Sequence, residues 1–301
     1  MKKEIQIFCA KDWVDYELLD TGEGEKLERF GPYTFVRPYE DAVWKKTLSN
    51  KTWENINGKF WSSKTGAKGG WKMIEKNKGN VLSKWEMSYK DIKFIASPTP
   101  FRHLGFFPEQ AHHWDFIEEK IKEAKRPVKF LNLFGYTGVA SLFALSAGAE
   151  VTHIDASKSS IEWAKENQKL NSHLGLDKLP MRIICDDVMK FIEREEKRGN
   201  KYDCVIMDPP KFGRGPKGET WKIEKDLPKL LSQVRKILSD KPLFVILNSY
   251  AIEASSLSLG YALEDVFSSL EGSVSSGELC LLEKSKNRTI PLSNTAIWSA
   301  N

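Results

Sequence analysis

Between Val128 and Ser249, five short apolar runs alternate with segments of helical periodicity. "VKFLNLF" (Val128–Phe134), "EVTHIDAS", "MRIICDD", "YDCVIMD" and "PLFVILNS" are the length of strands, carry β-formers and predict strands. Between them, "GVASLFALSAG" (Gly138–Gly148), "KSSIEWAKENQKLN", "VMKFIEREEKRG" and "IEKDLPKLLSQVRKIL" predict helices. Ser157 is placed to cap the second of these, and Pro228 to start or kink the fourth. Such alternation folds as α/β, a doubly wound parallel sheet. After one more helix, "SGELCLLEKSKNRTIPLSNTAIWSA" predicts a terminal antiparallel hairpin, unusual for a dinucleotide dehydrogenase.

The strands end in a pattern. The first runs into "GYTG", where Gly135 and Gly138 allow a tight turn and close approach of a ligand beside the next helix. The full G-x-G-x-x-G is missing, which counts against a pyrophosphate site. The second strand ends at Asp155, where an acid can accept hydrogen bonds from both ribose hydroxyls. The third ends at Asp186 and Asp187, where a carboxylate can face an adenine amino group. The fourth ends at Asp208-Pro209-Pro210, whose two prolines stop the ladder and leave carbonyl acceptors without a partner in the sheet. One such acid alone is an ordinary cap or loop end. Three consecutive strands ending in acids suit a nucleoside joined to a group that is not strongly anionic, and S-adenosylmethionine fits.

Up to about Ser97 the texture differs: aromatic, with turn signals at "TGEGEK", "FGPYTFVRP", "NGKFW" and "KGGWK". Residues 1–97 therefore predict a small β-rich accessory domain, and residues 98–301 the sheet domain. Net charge is +5, and its excess sits in residues 51–100, with 10 basic against 4 acidic side chains. There lysines alternate with Trp61, Trp71 and Trp85, as a single-stranded RNA surface requires; a hairpin whose tryptophans are core is the alternative. A basic glycine-rich stretch, "KFGRGPKGETWK", predicts a mobile loop with Lys211, Arg214 and Lys217 toward phosphates.

Composition excludes other classes. Hydrophobic content of 41% and charged content of 29% fit a globular chain. No apolar run nears the roughly 18 residues of a membrane span, and the acidic turn after "MKK" argues against a secretory signal. The 4 cysteines show no C-x-x-C spacing, which points to a reducing, cytoplasmic interior without disulfides or zinc. Histidine adds one adjacent pair, His112 and His113, so no metal site is expected. A homodimer is compatible with the sequence.

"NLFGYTG", "DAS", "DDV", "DPPKF" and "HLGFFPEQ" are shared motifs. From about Phe101 onward the chain resembles the class I S-adenosylmethionine-dependent methyltransferases. More narrowly, it is similar to the group with the bacterial large-subunit ribosomal RNA cytosine-5 and guanine-7 methyltransferases. The resemblance implies a seven-stranded Rossmann-like sheet with a reversed last strand. It implies that Phe134, Gly135, Tyr136 and Gly138 cradle the methionine part, Asp155 and Ala156 the ribose, and Asp187 or Asp186 the adenine. The segment around Phe107 and Gln110 is expected to close over the cofactor. Asp208, Pro209 and Pro210 line the acceptor pocket, with Phe212 stacked on the substrate ring. Cytosine-5 members carry a nucleophilic cysteine after the fifth strand; here "LNSYAIEAS" has Tyr250 and no cysteine, so transfer to a nitrogen is expected. By this resemblance a base of RNA, ribosomal RNA first, is the expected acceptor, with a protein or small-molecule methyltransferase as the alternative. A nicotinamide oxidoreductase is disfavoured by the missing third glycine.

Overall fold

A computed structural model describes residues 4–10, 12–61, 69–74, 81–250 and 255–301. They form two compact units, and the chain passes between the units four times. The larger unit runs up to Phe8, then over His112–Leu279 and Pro291–Asn301; the smaller holds Cys9–Ala111 and Cys280–Ile290. Where the sequence suggests one cut near residue 97, the N-terminal strand and the tip of the last hairpin are exchanged across it. Among the described residues no helix is long and apolar enough to cross a membrane.

The chain begins with β1 (Ile5–Cys9). In the smaller unit, β2 (Tyr16–Gly22), β3 (Glu25–Phe30) and β4 (Tyr33–Pro38) form a meander. Its first turn has positive φ at both central residues, Glu23 (54°) and Gly24 (76°), the geometry that matches strand twist. A short helix, α1 (Asn50–Glu54), leads to β5 (Gly58–Trp61) and β6 (Gly70–Met73), which complete a five-stranded sheet. A separate pair follows, β7 (Trp85–Tyr89) with β8 (Ile92–Ala96). The tip of the last hairpin is held here by Glu283, fully buried, which accepts from the Thr21 amide (2.7 Å) and hydroxyl (2.5 Å). Ser285 donates to buried Asp20 (2.7 Å).

The three tryptophans of the basic stretch separate. Trp85 is core, stacked on Phe35 at 5.9 Å. Trp71 is half-buried, edge-on to Phe35 and Phe60. Trp61 alone of the three is exposed, at 47%. Much of the basic stretch, residues 62–68 and 75–80, lies outside the described residues.

In the larger unit, α2 (Ala111–Ala124) precedes the alternation. It runs β9 (Lys129–Leu133), α3 (Val139–Ser146), β10 (Glu150–Asp155), α4 (Lys158–Leu170), β11 (Met181–Cys185), α5 (Val188–Arg198) and β12 (Cys204–Met207). A small hairpin, β13 (Phe212–Arg214) and β14 (Thr220–Lys222), leads into α6 (Ile223–Ile237). Pro228 sits inside α6, past its start. Then come β15 (Phe244–Ser249), α7 (Ser256–Phe267), β16 (Ser273–Leu282) and β17 (Thr289–Ser299). The sheet order is β1-β16-β17-β15-β12-β9-β10-β11, with β17 antiparallel to β15 and β9, β10, β11, β12 and β15 parallel. Seven strands are those expected; β1 adds an eighth at the edge.

The central strands bury both faces, which is why they are nearly continuously apolar. Leu131, Leu133, Val205, Met207, Val245 and Leu247 face a core shared with α5, α6 and α7. On the other face Phe244 meets Phe130 and the Phe116 ring of α2, and Trp114 stacks on Phe143 of α3. Each large side chain so buried contributes about 1.5–3 kcal/mol.

Candidate active site

Strand register brings the carboxyl ends of the parallel strands level. Leu133 pairs with Ile154 and Met207, Met207 with Leu247, and Asp155 with Cys185. One residue past the first three pairs, the chain presents Phe134, Asp155, Asp208 and Asn248 along one rim, with Asp186 next to it beyond Cys185. Open α/β sheets bind ligands at this edge.

The turn after β9 is strained. Phe134 (φ 57°) and Tyr136 (φ 50°) are left-handed although neither is glycine, and Gly138 (φ 84°) follows as the N-cap of α3. Bulky residues there cost about 1–3 kcal/mol each and persist where neighbours hold them. Three contacts hold them. The Gly135 amide donates to the Ile154 carbonyl (2.9 Å), the Tyr136 amide to Asp155 Oδ2 (2.9 Å), and the Gly138 amide to the Gly135 carbonyl (3.0 Å). A Cβ on Gly135 would lie 2.4 Å from the His153 ring, and one on Gly138 3.0 Å from Ala164. Both glycines are thus required by the protein's own packing, in the tight turn that the sequence suggested. Beneath the turn runs a buried chain in which Asn132 donates to Ser141 Oγ and Ser141 bonds His153 Nδ1, each at 3.0 Å. Burial pushes the His153 imidazole down to about 4, so it is neutral near pH 7.

Asp155 Oδ1 accepts from the Ser157 amide (2.8 Å), and Ser157 in turn caps α4. With one backbone donor on each oxygen, the carboxylate retains acceptor sites for a pair of hydroxyls. Burial raises its pKa above the usual aspartate value, against the two amide bonds that lower it. Ala156 follows, its carbonyl accepting from Cys185 Sγ (3.6 Å). Asp186 pairs with Arg194 and accepts from the Asp187 amide (2.8 Å). Asp187 is the N-cap of α5, accepting from the Lys190 amide (2.9 Å).

On the other side of Phe134, Asn248 Nδ2 donates to Asp208 Oδ1 (3.2 Å) and Ser293 donates to Asn248 Oδ1 (3.2 Å). The Pro210 carbonyl is taken by the Trp221 indole N–H (2.7 Å), so one of the two carbonyls expected to be open is occupied. Among the described residues no protein donor reaches the Pro209 carbonyl. The basic segment expected as a mobile loop is the β13–β14 hairpin, in which Phe212 pairs with Lys222 and Gly213 with Trp221. Trp221 is buried and its ring lies 5.2 Å from Phe134; Glu219 on the hairpin pairs with Lys190 of α5. Phe212 is exposed at 52%. Lys211, Arg214 and Lys217 ride on or beside this hairpin.

A family model of S-adenosylmethionine-dependent methyltransferases matches residues 50–266. The chain belongs to that family. The crystal structure of a methyltransferase of this cofactor from Agrobacterium tumefaciens matches with a TM-score of 0.92 at 41% identity, over 100% of this chain and 97% of that one. A methyltransferase solved with S-adenosylhomocysteine shares the fold at 17% identity, with a TM-score of 0.72 over 96% of this chain and 76% of that one. Ribosomal RNA large subunit methyltransferase K of Neisseria meningitidis is 30% identical over 179 residues, 58% of this chain and 48% of that protein. Ribosomal RNA large subunit methyltransferase I of Aeromonas salmonicida is 37% identical over 122 residues, 40% of this chain and 29% of that protein. The chain spans less than half the length of these two curated relatives.

The methyltransferase rim fits its cofactor by chemistry. Four acids stand at or beside it and would repel a pyrophosphate, while a phosphate-free nucleoside with a positive sulfonium meets acceptors throughout. Three participants were not singled out in the sequence. Asn248 stands in the quoted "LNS", and a polar residue at the same strand end as Asp155 and Asp208 was the available signal. Trp221 stands in the basic stretch, and its partners Phe134 and Pro210 are far away in sequence. His153 is a polar residue inside an apolar strand. Phe107 and Gln110 lie in the smaller unit, Gln110 closing a 3-10 turn over Pro108–Gln110.

Proposed function

We propose that this methyltransferase modifies a base of RNA, ribosomal RNA first among candidates, at a ring or exocyclic nitrogen. The observations that carry the reading are the Asp208–Asn248 pair, the exposed Phe212 that follows in the same segment, and the lack of a cysteine after the fifth strand, in "LNSYAIEAS". Cys204 lies inside β12, fully buried, and burial first, then Asp203, pushes its thiol well above the usual value. A resting thiol of that kind is no nucleophile for carbon 5 of a pyrimidine. The names of the ribosomal RNA relatives favour RNA over a protein acceptor.

S-adenosylmethionine, when bound, would supply an electrophilic methyl group on its sulfonium sulfur. In this reading Phe134, Gly135, Tyr136 and Gly138 shape the cleft for the methionine part. Asp155 and Ala156 hold the ribose, and Asp186 or Asp187 meets the adenine. Asp208, its one oxygen held by Asn248, and the Pro209 carbonyl are two acceptors that orient an amino group. Pro210, fixed through Trp221, sets their spacing, and Phe212 stacks on the ring. Alignment of this kind supplies up to about 7–11 kcal/mol of a barrier.

Comparison of modified nucleosides in ribosomal RNA by mass spectrometry, with and without the gene, checks the proposal. One methylated purine or amino group is expected to vanish. Unchanged ribosomal RNA would redirect the site to a protein or small molecule.

A further inference from the structure

In the smaller unit, β5 alternates in burial: Gly58 and Phe60 point inward, Lys59 and Trp61 outward. Antiparallel pairing sets Lys72 of β6 opposite Lys59, and Gly70 opposite Trp61. Directly opposed residues share a face of the sheet, so Lys59, Trp61, Gly70 and Lys72 lie on one side, two strand positions spanning about 6.8 Å. Gly70 has no side chain, and the Trp61 indole lies over it: a Cβ there would be 3.6 Å from Nε1 and 3.9 Å from Cε2. One side of the ring covers the glycine, and the residue remains 47% exposed.

The two lysines are the second observation. Like charges directly opposed in a sheet destabilise it. Lys59 is relieved by Glu25, yet among the described residues no carboxylate pairs with Lys72. The exposed side of the Trp61 ring, on the same face as Lys72, lies outside the unit's core, which takes Trp85 and Trp53. It matches the demands of an unpaired nucleotide, a π-face for the base and a cation for the phosphate. A duplex hides its base faces and could not use the ring.

We infer that the outer face of the β5–β6 hairpin is a stacking platform for an unpaired nucleotide of RNA, with Trp61 against the base and Lys72, assisted by Lys59, at the phosphate. The inference rests on the reading of RNA as substrate and adds to it where the chain grips that RNA.

Fluorescence anisotropy with a short labelled single-stranded RNA, over a salt series, tests it on the full chain. Trp61→Ala is expected to weaken binding by roughly tenfold, from a stacking contribution of about 1–3 kcal/mol, while Trp61→Phe keeps most of the affinity. Lys72→Ala is expected to lower the slope of log affinity against log salt by about 0.7. All three variants are expected to bind S-adenosylhomocysteine as the parent does, which shows that the fold is intact, and Trp61→Ala is expected to bind duplex RNA as the parent does. Parent-like RNA affinity in Trp61→Ala would overturn the platform while leaving RNA as substrate. A parent chain that ignores RNA would overturn both.

Discussion

Trp221 connects two ends of the site. Its indole N–H holds the Pro210 carbonyl at 2.7 Å and its ring packs on Phe134, so one side chain ties the segment proposed to take the acceptor to the turn proposed to take the cofactor. The two contacts are separable. Trp221→Phe keeps a ring against Phe134 but leaves the Pro210 carbonyl without its donor. We expect its affinity for S-adenosylhomocysteine to stay within about twofold, measured by calorimetry, while kcat on undermethylated ribosomal RNA falls roughly tenfold to a hundredfold, the cost of a small misplacement. A loss confined to cofactor affinity would contradict this role. At this scale the sequence disclosed what is local: Ser157 caps α4 and Asp155 ends β10, both within a few residues of their partners. It hid what is distant, since the Trp221–Phe134 contact joins segments whose own patterns say nothing of each other.

Among elements, the parallel strands were legible because both faces are buried and the runs are apolar. The β13–β14 hairpin was not, because strands of three residues built from Phe, Gly, Arg, Thr, Trp and Lys carry no period to detect. The turn after β9 depends on β10 through His153, which occupies the space a Gly135 side chain would need. This ring is neutral in the fold, with its pKa pushed down from 6.5 to about 4 by burial. Below pH 6.5 the unfolded chain binds a proton that the fold refuses, so stability falls with pH until about 4 and the contribution then levels off. His153→Asn, which can still bond Ser141, removes this proton from the balance. Thermal or urea unfolding across pH 4–6.5 is expected to show a shallower dependence in that variant, by up to about 1.4 kcal/mol per pH unit. Parallel profiles would assign the acid sensitivity to other groups.

At the scale of the molecule, the chain's four passages between units were invisible in composition. A change of texture near Ser97 marks where aromatic hairpins give way to α/β alternation, yet Glu283, Lys284 and Ser285 bond Thr21, Glu17 and Asp20 within the smaller unit. Cutting at that point would strip the hairpin tip of the Thr21, Glu17 and Asp20 partners that hold it. Family membership rests on residues 50–266, which draw on both units. The smaller unit, where residues 51–100 carry 10 basic side chains against 4 acidic, supplies the surface argued to meet RNA. Everything in that division of labour depends on where the cofactor sits. A crystal structure of the protein with S-adenosylhomocysteine measures this directly. Both ribose hydroxyls are expected on the Asp155 carboxylate, with the sulfur directed toward Asp208 and Pro209; a nucleoside lodged away from the ends of β9, β10 and β12 would contradict the account.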